Sequence, residues 1–236
     1  MFLVSPAGAL LEFANTAEAD RELRMMASAL RKFDPAAPIE PPGAETAARP
    51  LPAPPEGGLI VAVTSKVLGG YEGAAPDRRA AIHAASIGRD HLWVRKDEAE
   101  LLAAGSFPES LALRLARFHL IDNTRGEPPL WRPDEVRRAE IALERGRAAG
   151  SVHLQTAAGD RGYQATLLGF VEARTGKIEK LDLVTRGEFW GEGPFTWGAP
   201  KGRFPFAVAF TLVKEPTEVE RVVPGAARNG VASYLR

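Results

Sequence analysis

Between His119 and Trp131 the chain reads HLIDNTRGEPPLW, bringing a histidine, an aspartate, an asparagine, an arginine and a glutamate into one short segment that its Gly-Glu-Pro-Pro run keeps from being helical. In a catalytic reading His119 is a general base oriented by Asp122, and Arg125 holds an anionic group of a substrate. The segment supplies neither a nucleophile nor a metal. In the competing reading FHLID leaves a helix as a short strand, Asp122 and Asn123 make the side-chain bonds of a turn, and Arg125 pairs with Asp122 or Glu127.

A second group of candidates spans residues 187–206, GEFWGEGPFTWGAPKGRFPF, where Trp190, Phe195, Trp197 and Phe204 alternate with glycines. Aromatic side chains on a glycine-rich loop suit the mouth of a site for a small apolar or glycan-like ligand, and they equally suit a loop folded back on its own core. No phosphate-cradling glycine motif occurs, because prolines and a tryptophan stand where backbone amides would be needed. Paired carboxylates, Glu188 with Glu192 or Asp182 with Glu172, offer an acid and base couple. As exposed strand residues they are explained equally well as cross-strand charge pairs.

Composition narrows the chemistry. The 236 residues contain no cysteine, which removes disulfides, thiolate catalysis and Cys-ligated metals. The four histidines, at 83, 91, 119 and 153, include no pair at the i, i+4 spacing of a helical metal site, and no cofactor is expected. Thirty Lys plus Arg balance thirty Asp plus Glu, so nothing in the net charge would draw in nucleic acid. No apolar run is long enough for a membrane-spanning helix. The opening MFLVSPAGALLEF lacks a basic start and carries Glu12 where a signal peptide stays apolar, so the sequence as it stands is expected to be soluble and to remain where it is made.

Three segments must position these residues. In residues 1–33, FLVS and ALLEFA flank a Pro/Gly turn and predict a β-hairpin. Leu23, Met26, Ala27, Leu30 and Phe33 then recur at helical spacing, with Asn15 or Thr16 as N-cap. Residues 34–58 are rich in Pro and Ala and read as a semi-rigid linker. Residues 59–236 open with a β-branched strand, LIVAVTSKVL, followed by short helices within 78–118: RRAAIHAASIG ended by Gly88, one begun by a box of Asp97 and Glu100, and one capped by Ser106 with Glu109. The pattern then turns to period two in RAEIALE, SVHLQT, YQATLLGFVEA, KIEKLDLVTRGEFW and FPFAVAFTLVK, a meander of about five strands. In the last strand Phe204, Phe206, Val208, Phe210 and Leu212 share one face. The fold class expected is α+β: long strands, with Gly169 and Gly187 at bends, forming a strongly curved antiparallel sheet or half-barrel flanked by the helices.

FLVSPAGALLEF…ELRMMASALRKF resembles the closing strand, strand and helix of a thioredoxin-like domain, without the βαβ unit and cysteine that give such domains their redox chemistry. The resemblance implies that Met1 lies inside a longer, exported protein with a further N-terminal domain. KVLGGY, GRDHLWVRKDEAE, ARFHLIDNTRGEPPLW and RGEFWGEGPFTWGAPKG resemble a group of uncharacterised bacterial proteins in which a thioredoxin-like domain precedes a β-rich domain, which implies an arrangement and no activity. The leading expectation is a non-catalytic β-rich binding or accessory module with Trp190, Phe195, Trp197 and Phe204 at its site. Its rivals are a hydrolase-like enzyme using His119, Asp122 and Arg125, and a purely structural interaction domain.

Overall fold

The computed structural model describes residues 1–16, 18–38, 52–72 and 78–236, in two compact units, Met1–Pro50 and Leu51–Arg236. The middle of the expected linker lies outside the described residues. Its last residues belong to the second unit, where the Gly58 amide donates to Pro55 O at 3.0 Å.

In the first unit β1 (Phe2–Val4) pairs antiparallel with β2 (Leu10–Phe13), and α1 (Ala19–Lys32) covers one face of the hairpin. Met25 and Ala29 on the helix are buried, while Leu3 and Leu11 on the hairpin are half-buried. Glu12 accepts from the Lys32 ammonium at 2.7 Å and the Ser28 hydroxyl at 2.6 Å. On the other face Phe2 and Phe13 stack with ring centroids 4.5 Å apart and stay exposed. The helix begins after Glu18 rather than after Asn15 or Thr16. Thr16 instead accepts the Glu18 amide at 3.1 Å, one turn-like bond ahead of the helix.

The second unit is built on one seven-stranded antiparallel sheet. Its strands are β3 (Leu59–Val67), β4 (Gly88–Val94), β5 (Val136–Glu144), β6 (Arg147–Gln155), β7 (Gly162–Arg174), β8 (Lys177–Trp190) and β9 (Arg203–Leu212), in the order β4-β3-β9-β8-β7-β6-β5. The five-strand meander runs from β5 to β9. The opening strand then returns beside the closing one, with Val63 opposite Phe210 and Val67 opposite Phe206. Period-two alternation sends Phe204, Phe206, Val208 and Phe210 into the core, with Tyr163, Leu167, Leu183 and Phe189 from the neighbouring strands on the same face. The opposite face is open and carries Gln164, Thr166 and Leu168 of β7 and the charge pairs Lys180–Glu172 and Lys180–Asp182.

Between strands lie α2 (Arg78–Ala85), α3 (Lys96–Ala103) and α4 (Glu109–Arg114), the last continued by a π-helical turn over Leu115–His119, and the chain closes on α5 (Val231–Tyr234). The sheet is neither closed nor strongly curled, contrary to the expected half-barrel. Its edges, β4 and β5, stay apart in the strand order. A helical layer against the inner face buries the aromatic residues that closure would otherwise have to enclose, with α3 packed on β7 and β8 and α4 on β5. Gly169 and Gly187 sit in unbroken register, and the one irregularity of the β7–β8 ladder falls at Glu172/Ala173.

Helix limits shift for a related reason. The first described helix of this unit ends at Ala85, and Gly88 starts β4, where a Cβ would collide with Asn123 and Ser65 side chains. Glu98, rather than a box of Asp97 and Glu100, accepts the Arg95 amide at 2.9 Å, because its carboxylate is pulled inward to Arg114. The following helix starts after Pro108 rather than Ser106.

Candidate functional site

His119 ends the π-helical turn with 2% of its surface exposed. Its Nε2 lies 2.7 Å from the Tyr234 hydroxyl, which accepts the Trp93 amide at 3.2 Å. The Asp90 carboxylate facing Nδ1 favours the neutral tautomer protonated there, with Nε2 accepting the Tyr234 proton. Nδ1 faces Asp90 Oδ2 at 3.5 Å without a hydrogen bond; Asp90 Oδ1 accepts the amides of His91 and Gly225, and Oδ2 that of Ala226. Burial, partly opposed by the Asp90 charge and reinforced by Arg114, lowers His119 from 6.5 to about 4. The histidine is thus sealed beneath the C-terminal helix, with Asp90 and Tyr234 as its partners.

Asp122 serves the turn. Its Oδ1 accepts the Thr124 amide at 3.1 Å and hydroxyl at 2.6 Å, and its Oδ2 accepts Arg125 Nη2 at 2.5 Å and Nε at 3.2 Å. FHLID does not form the short strand expected of it; the backbone passes from the π turn into a strapped loop. Trp131 Nε1 donates to Leu120 O at 2.8 Å, Arg161 to Pro129 O at 2.7 Å, and Arg228 reaches Glu127 at 2.6 Å. Arg125 does one further thing. Its Nη1 donates to the Thr196 carbonyl and lies 3.8 Å from Glu192, joining the loop to the aromatic segment.

The four aromatic candidates divide. Trp190 closes β8, 8% exposed, with its ring under the Arg203 guanidinium at 4.0 Å and Nε1 donating to Gly159 O at 2.9 Å. Phe204 is a core residue, 1% exposed, packed against Phe189. Phe195 and Trp197, by contrast, are each 65% exposed. They stand on a loop fixed from within: the Gly193 amide donates to Thr196 Oγ1 at 2.7 Å and the Ala199 amide to Glu192 Oε1 at 2.6 Å.

Beside Trp197 this loop forms one wall of a cleft of about 390 Å³ lined by Gly198–Lys201, Tyr71, Glu72, Arg79 and His83. The Tyr71 hydroxyl donates to Gly198 O at 3.1 Å, and the Tyr71 and His83 rings are 6.4 Å apart. Gly198, at φ +85°, lies so close to His83 that a Cβ would fall 2.8 Å from Cε1 of the ring. Burial pushes the Tyr71 phenol up, while Glu72 is held below the usual carboxylate range by its own backbone amide and that of Gly70. Tyr71 and His83 were not legible as a pair, being twelve residues apart; the glycines of GGYEG were the available signal.

A second group escaped the sequence as well. Arg114 and Glu98, both fully buried, make a bidentate pair at 2.5 and 2.9 Å, and the remaining guanidinium donors reach Tyr234 O at 2.9 Å, Leu235 O at 3.0 Å and Trp93 O at 3.4 Å. The C-terminal carbonyls that enclose Arg114 come from the far end of the chain, beyond the reach of local pattern. The carboxylates at 172, 182 and 188 are in exposed ion pairs with Lys180 and Arg203. Among the described residues no three His, Asp or Glu side chains are grouped to hold a metal ion. No helix among them is long and apolar enough to cross a membrane. Comparison with protein-family models, with curated proteins and with solved structures finds no match to this chain.

Proposed function

We propose that the β-rich unit is a non-catalytic binding module for a glycan-like ligand, received in the cleft between Tyr71, His83 and the 195–201 loop. The observation that carries this reading is the pair of exposed rings, Phe195 and Trp197, on a loop immobilised by Arg125, Glu192 and Thr196. Exposing two large aromatic side chains forgoes hydrophobic stabilisation of about 1.5–3 kcal/mol each, and bracing the loop lowers the ordering cost of binding. The Tyr71 ring in the cleft, with Trp197 on the residue before its Gly198 wall, suits the apolar C–H face of a sugar, and polar groups suit its hydroxyls. Glu72, Arg79, His83 and Lys201 provide those polar groups. A volume near 390 Å³ suits one or two sugar rings.

Burial of His119 supports the absence of catalysis, because a general base must reach the proton it takes. The test is tryptophan fluorescence during titration with neutral di- and trisaccharides. Saturable quenching that Trp197→Ala abolishes, and that His119→Gln leaves in place, is the expected result. Quenching that survives in a Phe195→Ala/Trp197→Ala variant overturns the reading, as does turnover of any of these sugars that His119→Gln removes.

A further inference from the structure

At the opposite end of the strands, the start of β3, the turn between β7 and β8 and the exit from β9 surround an open cleft of about 700 Å³. Ile60, Ile178, Leu212 and Val213, with Pro55 and Pro216 beside them, form an apolar strip in a wall that is otherwise largely polar. Its rim is cationic. Arg174, Lys177, Lys214 and Arg221 face Glu56 and Glu179, a local excess of positive charge in a chain whose charges sum to zero. Glu179 is engaged by Arg174 at 3.6 Å, and Arg221 Nε donates to Pro216 O at 3.3 Å. Among the described residues the side chains of Lys177 and Lys214 have no ion pair or hydrogen bond, so two ammonium groups there stand without a carboxylate partner beside the apolar strip.

We propose that this cleft binds a single amphiphilic anion, a long-chain carboxylate whose alkyl chain lies along Ile60, Ile178 and Leu212 and whose head meets Lys177 and Lys214. Charge complementarity selects the head: an ammonium or neutral head would leave both lysines uncompensated, whereas a carboxylate pairs with them. The apolar strip selects the tail, because burying methylene groups against it supplies the non-directional part of the affinity. The cleft's volume lies within the range of sites that enclose one small molecule, which favours a detached amphiphile over a bilayer surface. The site is separate from the Tyr71 cleft and shares none of its lining.

Calorimetric titration of the full chain with sodium dodecanoate below its micelle concentration tests this. One-to-one saturable binding is expected, weakened about tenfold or more by Lys177→Glu/Lys214→Glu. The double reversal Arg137→Glu/Arg138→Glu, elsewhere on the sheet, leaves it unchanged. Acetate, which lacks the tail, and dodecyltrimethylammonium, which reverses the head, give no saturation. Equal binding of the cationic amphiphile, or an affinity untouched by the lysine reversals, overturns the proposal. Co-sedimentation with phosphatidylglycerol vesicles in the absence of dodecanoate binding also overturns it and points to a membrane surface. Because both lysines are exposed, circular dichroism of the variant should match the parent.

Discussion

Acidification should unfold the β-rich unit through His119. In the folded chain burial holds this imidazole at about 4, whereas the unfolded chain frees it to its ordinary value near 6.5. Between those values the unfolded state binds the proton that the folded state refuses, so stability rises with pH through the window. The contribution is fully present above about 6.5, declines as the pH falls, and is exhausted below about 4. The difference corresponds to roughly 3 kcal/mol, a large share of the stability of an ordinary domain. All four tryptophans, 93, 131, 190 and 197, lie in this unit, so their fluorescence follows its unfolding without a signal from the hairpin and helix. Urea denaturation at intervals from about pH 7.5 to 4 would be run on the parent chain and on His119→Gln. The glutamine keeps a carbonyl to accept the Tyr234 proton and cannot itself titrate. Carboxylates titrate in both proteins and cancel in the difference, which should shrink by roughly 3 kcal/mol on going to low pH. Parallel pH profiles would refute the reasoning, because they would mean that the ring takes up its proton as readily folded as unfolded.

Two substitutions probe the other structural arguments. Arg114→Ala removes the buried cation that pairs bidentately with Glu98 and leaves the Tyr234 carbonyl without its donor, while Glu98 keeps the Arg95 amide and the Ser110 hydroxyl; it should cost about 3–5 kcal/mol in urea denaturation, and a loss below about 1 kcal/mol would mean that water reaches the pair. Gly162→Ala places a methyl group in the Trp190 ring across the β7–β8 ladder, and should cost about 1–3 kcal/mol with altered near-ultraviolet tryptophan dichroism; an unchanged spectrum would show that the ring can step aside.

Local rules read well where neighbours in sequence do the work. Alternation in FPFAVAFTL predicted the buried face of β9, because a strand side chain's direction is set by parity alone. The turn chemistry of Asp122 and Arg125 was also legible, since Asx and short-range ion pairs close within a few residues, whereas Asn123, expected to join that turn, instead accepts the Ser65 hydroxyl of β3, 58 residues away. Helix starts were read two or three residues off: Glu98 caps the helix only because Arg114, sixteen residues away, fixes where its carboxylate points. Among the aromatics, spacing could not separate Trp190 and Phe204 from Phe195 and Trp197. The first pair lies on paired strands and the second on the loop that leaves them, and only strand ends decide which ring faces the core.

By itself, then, the sequence determined the classes of chemistry open to the chain, through its lack of cysteine and its balanced charge, and the alternating pattern that makes an antiparallel sheet. Tertiary structure decided everything that depends on residues distant in the chain. It set β3 between β4 and β9, left the sheet open, and sealed His119 under Tyr234. It also placed Tyr71 and His83 against the aromatic loop and brought Lys177 and Lys214 to one cleft. The reason is physical: periodicity and turn propensity act over a few residues. Burial, which turns a histidine into a neutral structural group, is a property of the packed whole.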